Sequence, residues 1–353
     1  MRFPTFATVM LLIATPLAAH DVTDQQAHGV VPIPDYAQPY GKASARSARL
    51  AAIALLAHFD DDAAARFVFE FDADKRTTWS NLPTAMVERA GISVGEMDET
   101  QRSSLFDFLA SALSKDGYER VAEIMAAEAF LSRDARAERF QWSPENYWFA
   151  FYGTPSSEAP WAWQFGGHHL GLNVSIDGDT VQSLSPSFVG TEPSIFTLDG
   201  TAYEVGFDMH QAGFAVFDAL DEDQQAIADA GAVPDNVLTG PGKDGVVPPV
   251  AGLAASAMSA AQRDLLKTAI RQWVSVLPAE DMERRMDELA ADLDKISFAW
   301  TGSDEVNTPT YMRIQGPSLI IELLSTGGNV GGNASGAGHY HTMYRNPKSD
   351  YGR

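Results

Sequence analysis

A chain of 353 residues, 45% hydrophobic and 20% charged, is long enough for one large domain or two ordinary ones, and its composition excludes a disordered, collagenous or coiled-coil protein. Forty-seven acidic against 25 basic residues give a net charge of −22, which repels nucleic acid phosphates and anionic lipid, so no nucleic acid partner is expected. Cysteine is absent, which excludes disulfides, thiolate ligands and a cysteine nucleophile and leaves histidine, carboxylate or carbonyl oxygen to hold any metal.

Arg2, the apolar run Phe6 to Leu17 and the Leu17-Ala18-Ala19 end have the pattern of a secretory signal peptide over residues 1–19. Twelve apolar residues broken by Pro16 are too few to span a bilayer, and no later stretch is long and apolar enough, so no membrane span is expected. The expected location is periplasmic or secreted. An extended segment, 20–43, then leads into one domain, 44–353.

The apolar spacing of Ala48, Ala51, Ala52, Leu55, Leu56 and Phe59 predicts an amphipathic helix over Ser44 to His58. Asp98 to Gln101, Asp221 to Gln224 and Ser259 to Gln262 have capping-box spacing and each opens a further helix; Asp116 to Phe130 and Ala279 to Leu293 also have helical patterns. Strands are expected at Tyr147 to Tyr152, Trp161 to Phe165, His168 to Ile176, Tyr311 to Gln315, Leu319 to Leu324 and His339 to Arg345. Gly231 to Gly252, with four prolines, reads as a loop. The fold class is therefore α+β, helices packed against an antiparallel sheet in a single large domain.

Four of the eight histidines fall in two short strand-like motifs. In Gly338-His339-Tyr340-His341-Thr342 the strand period of two puts both imidazoles on one face and Tyr340 on the other, which suits one metal ion. Alternation from His168 onward sets His169 with the polar Gly171, Asn173 and Ser175, and His168 with Leu170, Leu172 and Val174. His169 is thus the expected third ligand beside His339 and His341, with His168 at the core edge. Hydrogen bonding alone would also account for such pairs. Glu322, inside the apolar run Leu319 to Leu324, must either face water or have a partner such as Arg313, Arg345 or a metal. The twelve residues Gly327 to Gly338 read as a flexible loop beside His339. Motifs for a serine-hydrolase elbow, a zincin helix, a P-loop and a dinucleotide fingerprint are missing, and Asp72-Ala73-Asp74 fails as a calcium loop at Arg76 and Thr77.

Trp163-Gln164-Phe165-Gly166-Gly167-His168-His169-Leu170, Tyr311-Met312-Arg313-Ile314-Gln315-Gly316-Pro317, Ile321-Glu322 and His339-Tyr340-His341-Thr342-Met343-Tyr344-Arg345, with Asp350-Tyr351-Gly352, resemble the domain-of-unknown-function 3500 family. The resemblance runs from the helix near Ser44 to Gly352 and implies that His168, His169, Arg313, Gln315, Glu322, His339, His341 and Arg345 belong together. Two departures are the long glycine-rich connection before His339 and Asn346, where the resembled family has a shorter connection and usually an aspartate.

The expected site has a divalent ion (zinc, copper or iron) on His169, His339 and His341. Glu322 or Asp350 is expected to take a proton from metal-bound water, Arg345 to clamp an oxyanion, and His168, Arg313 and Gln315 to bind a small-molecule or oligomeric substrate. The leading expectation is a metal-dependent enzyme, most simply a hydrolase. A copper or iron redox enzyme, a non-catalytic metal- or ligand-binding protein, and a copper brace at a mature N-terminal His20 are the alternatives.

Overall fold

The computed structural model describes residues 31–303, 305, 307–327 and 338–353. The expected leader, His20 with its brace, and nearly all of the glycine-rich run lie outside the described residues.

In chain order the strands are β1 Val68–Phe69, β2 Ile92–Ser93, β3 Trp148–Tyr152, β4 Trp161–Gly167, β5 Leu170–Asp177, β6 Thr180–Ser183, β7 Ser187–Thr191, β8 Ile195–Leu198, β9 Thr201–Glu204, β10 Leu253–Ala254, β11 Ser297–Gly302, β12 Thr310–Gly316, β13 Leu319–Ser325 and β14 Tyr340–Arg345. The helices are α1 Ala45–Leu56, α2 Asp61–Ala64, α3 Glu99–Ala112, α4 Lys115–Leu131, α5 Ala137–Phe140, α6 Phe207–Asp218, α7 Glu222–Ala228, α8 Ala260–Val274 and α9 Ala279–Ala291. Helix starts follow their caps: Ser44 accepts from the Ser47 amide, and all three expected capping boxes form, at α3, α7 and α8.

Twelve strands form one sheet in the order β1-β3-β4-β5-β7-β14-β13-β12-β11-β10, with β2 beside β3 and β6 beside β5. Every pairing in it is antiparallel except β1 with β3. The chain is an α+β protein with helices against a mostly antiparallel sheet, as expected. Strand β7 inserts between β5 and β14, and so brings the two histidine motifs to one end of neighbouring strands.

The two faces of this sheet differ. Phe149, Phe151, Trp163, Leu172, Tyr340, Leu323 and Ile314 point to one side and pack with residues of α1, α3, α4, α6, α8 and α9 in the main core. Phe108 of α3 meets Phe149, Phe151 and Trp163 edge-on at 5.2–5.5 Å, so the strand aromatics serve as core. The other face has Gln164, Asn173, Gln315, Arg313, Glu322 and Arg345, all buried, and it is covered by loops and short 3-10 turns rather than by α-helices. A small apolar cluster of Trp79, Phe188, Val237, Tyr311, Leu324, Met343 and Tyr351 seals those loops down. Gly171 is required beneath them, because a Cβ there would lie 2.5 Å from the Trp79 ring.

One expected strand differs. Gly166 and Gly167 belong to β4, and His168-His169 is the two-residue turn of the β4–β5 hairpin, with Gly167 paired to Leu170. His169 takes the left-handed backbone (φ 61°), which a histidine in a tight turn adopts more readily than a β-branched residue would.

Candidate metal centre

The turn holding His169 is fixed from both sides. Its amide donates to the Asn81 carbonyl (2.9 Å), and its carbonyl accepts from the Gly190 amide (2.7 Å). Tyr147 donates from its hydroxyl to the His168 carbonyl (2.9 Å). The turn therefore places both rings without help from strand alternation.

His339 and His341 project from the start of β14 toward His169, while Tyr340 between them is buried in the helix-side core. Gly190 stands directly across from His341 on β7, and a Cβ there would press on Phe188 at 2.9 Å and on His169 at 3.3 Å. The Nε2 atoms of His169 and His339 are 3.2 Å apart, and those of His339 and His341 2.9 Å. Ligand atoms of all three lie within 4.8 Å of one another. Two nitrogens on one tetrahedral ion, bound at ~2.0–2.1 Å each, lie ~3.3 Å apart, so the spacing fits a shared ion.

Hydrogen bonding alone accounts poorly for this contact. His341 Nδ1 lies 3.1 Å from Asn236 Oδ1, and that oxygen also accepts from the Val237 amide at 2.8 Å, which identifies it as the carbonyl end. His341 is therefore the Nδ1–H tautomer, with an unprotonated Nε2 facing His339. His339 Nδ1 is buried without a hydrogen-bond partner among the described residues. If His339 puts its proton on Nε2 it bonds a neighbour and leaves Nδ1 unsatisfied. If the proton is on Nδ1, a buried donor is wasted and lone pairs converge. A cation among the Nε2 atoms relieves the lone-pair convergence of the second arrangement and leaves the Nδ1–H of His339 as its one unpaired group.

Electrostatics agree. Burial, with the neighbouring His168, His339 and His341, holds His169 well below its ordinary value. Burial and His168 lower His339 to about 4, and burial with His339 and His168 lowers His341 to about 3. Near neutral pH all three are the neutral imidazoles that ligation needs. His169 is fully buried, while His339 and His341 are partly exposed, so the cluster reaches the surface on one side.

His168 turns the other way. Its Nδ1 lies 2.8 Å from Glu128 Oε2 of α4, in a buried pair, and its ring stacks on His169 with centroids 3.9 Å apart. Trp142 covers the outer side at 6.2 Å.

The other expected site residues are drawn together for a different purpose. Glu322 is wholly buried and accepts from the Leu238 amide (2.7 Å), the Thr239 amide (2.8 Å), the Thr239 hydroxyl and the Tyr311 hydroxyl (2.6 Å). Arg345 donates to the Thr239 carbonyl (2.7 Å) and pairs with Asp350 (2.5 Å) and Asp244 (2.9 Å). Asp350 also accepts from the Ser185 hydroxyl. Arg313 and Gln315 donate to the carbonyls of Pro249 (2.8 Å) and Pro248 (2.7 Å). All these residues grip the 231–252 loop or the C-terminal turn; both carboxylates are engaged there, while Arg313 Nε and Gln315 Oε1 stay buried without a hydrogen-bond partner among the described residues.

Two contributors escaped the sequence reading. Asn236 sits in a Pro- and Gly-rich loop with no pattern to mark it. Glu128 had a signal, an acid within the apolar run Ile124 to Leu131, where burial requires a partner.

Fold and cluster together define an α+β protein with a three-imidazole cluster between the β4–β5 turn and the start of β14. The chain belongs to the family described as "Protein of unknown function (DUF3500)", whose model matches residues 41–353. Neither a curated protein nor a solved structure matches the chain.

Proposed function

We propose that His169, His339 and His341 hold one divalent metal ion, zinc, copper or iron, and that the exported protein is a metal-dependent enzyme, most simply a hydrolase. The observation that carries this reading is the convergence of the Nε2 atoms at 2.9 and 3.2 Å. When bound, such an ion supplies an open position and a water whose pKa is lowered to ~7. The chain's own part is to keep three imidazoles neutral and aimed, with the Phe188 ring 5.2 Å from His341 limiting water on one flank. Partial exposure of His339 and His341 gives the centre the open side that this reading requires for a substrate.

The engagement of Glu322, Arg345 and Asp350 in loop contacts favours a second reading, an exported protein that binds metal without turnover, because no carboxylate among them is left as a base. Metal analysis of untagged protein, followed by ester and phosphoester hydrolysis assays with and without a chelator, tests both. Stoichiometric metal with chelator-sensitive turnover supports the enzyme. Metal without turnover supports the binder, and no metal on purification or reconstitution removes both.

A further inference from the structure

We infer that Asn236 is a positioning residue for this centre: its Oδ1 locks His341 in the Nδ1–H tautomer, which leaves Nε2 unprotonated and pointed at His169 and His339. The inference rests on the metal reading above and adds a residue that no sequence pattern marks. Asn236 Oδ1 lies 3.1 Å from Nδ1 of His341, whereas Nδ1 of His339 has no hydrogen-bond partner among the described residues. The orientation of its amide is settled by the Val237 amide, which donates to the same oxygen. A hydrogen bond of this kind fixes both the ring's tautomer and its angle.

The position of Asn236 is itself built. It lies in a loop with no helix or strand, yet Leu238 and Thr239, two and three residues on, are tied to Glu322, and Thr239 is tied again to Arg345. Val237 beside it is buried in the apolar cluster on the loop-covered face. The buried charges on that face thus act on the histidines through one exposed amide, across 105 residues of sequence to His341.

The test uses the full chain, with zinc as the probe. Histidine ring nitrogens are observed by ¹⁵N NMR in metal-free wild type, Asn236→Leu and Asn236→Asp, and zinc affinity is measured for each by competition with a chromophoric chelator. Because Asn236 is exposed, Asn236→Leu should keep the wild-type circular dichroism. It should lose the single Nδ1–H signature of His341 and bind zinc ~10–100-fold more weakly. Asn236→Asp keeps an acceptor of the same shape and should retain the signature and bind at least as tightly as wild type. An unchanged His341 tautomer and zinc affinity in Asn236→Leu, or weaker binding by Asn236→Asp, overturns the inference and leaves the metal reading standing. Wild type that binds no zinc removes both.

Discussion

Glu322 and Thr239 lie 83 residues apart in sequence, yet the Thr239 amide donates to the Glu322 carboxylate at 2.8 Å inside the protein. That bond, with those from Leu238, the Thr239 hydroxyl and Tyr311, makes Glu322 the anchor of an otherwise irregular loop. Replacing it with leucine leaves buried donors without an acceptor, which should lower stability by about 3 kcal/mol. Urea unfolding of wild type and Glu322→Leu measures this. Unchanged stability with lost turnover would return Glu322 to the role of a base.

The Glu128–His168 pair predicts a graded series. His169→Ala removes a ligand and should cost at least 100-fold in metal affinity. His168→Ala removes only a stacked neighbour and should cost less than tenfold while lowering the melting temperature, since it leaves the Glu128 carboxylate buried without its partner. Isothermal titration of the two variants checks the order, and equal losses would contradict it.

Acid should weaken the metal-free protein through the triad. In the unfolded chain each imidazole titrates near 6.5, whereas burial holds His339 at about 4 and His341 at about 3 in the folded one. Between those values the unfolded chain binds more protons, so the triad's contribution is complete above pH ~6.5 and is lost as pH falls toward 4. The stability of wild type relative to a His169→Gln, His339→Gln, His341→Gln variant should therefore decline from pH 7 to pH 4.5. A difference that stays constant would show that the rings titrate normally.

Much of this was legible in the sequence for local reasons. Capping boxes set helix starts at Asp98, Asp221 and Ser259, and period-two alternation put His339 and His341 on one side of Tyr340. The expected strand from His168 to Ile176 begins two residues later because Gly166 and Gly167 pair within β4, where a Cβ would meet neighbouring backbone, and the left-handed turn position falls on His169. Arg313, Gln315, Glu322 and Arg345 share the loop-covered face. What they hold is set by where a distant loop lies, which no local pattern encodes.

Export carries its own prediction. The Arg2 and Phe6 to Leu17 pattern predicts that the mature chain starts at His20 and is found outside the cytoplasm. Intact-mass spectrometry of protein from the extracytoplasmic fraction checks the cut. Full-length chain confined to the cytoplasm would contradict it.

The most direct measurement of the central claim is a zinc titration at neutral pH of wild type, Tyr340→Phe and the His339→Ala, His341→Ala double variant, with folding confirmed by circular dichroism. Wild type and Tyr340→Phe should each bind one ion with matching affinity, because Tyr340 points into the helix-side core, and the double variant should bind none. A folded double variant that binds zinc as tightly as wild type, or a wild type that binds none, would contradict the account.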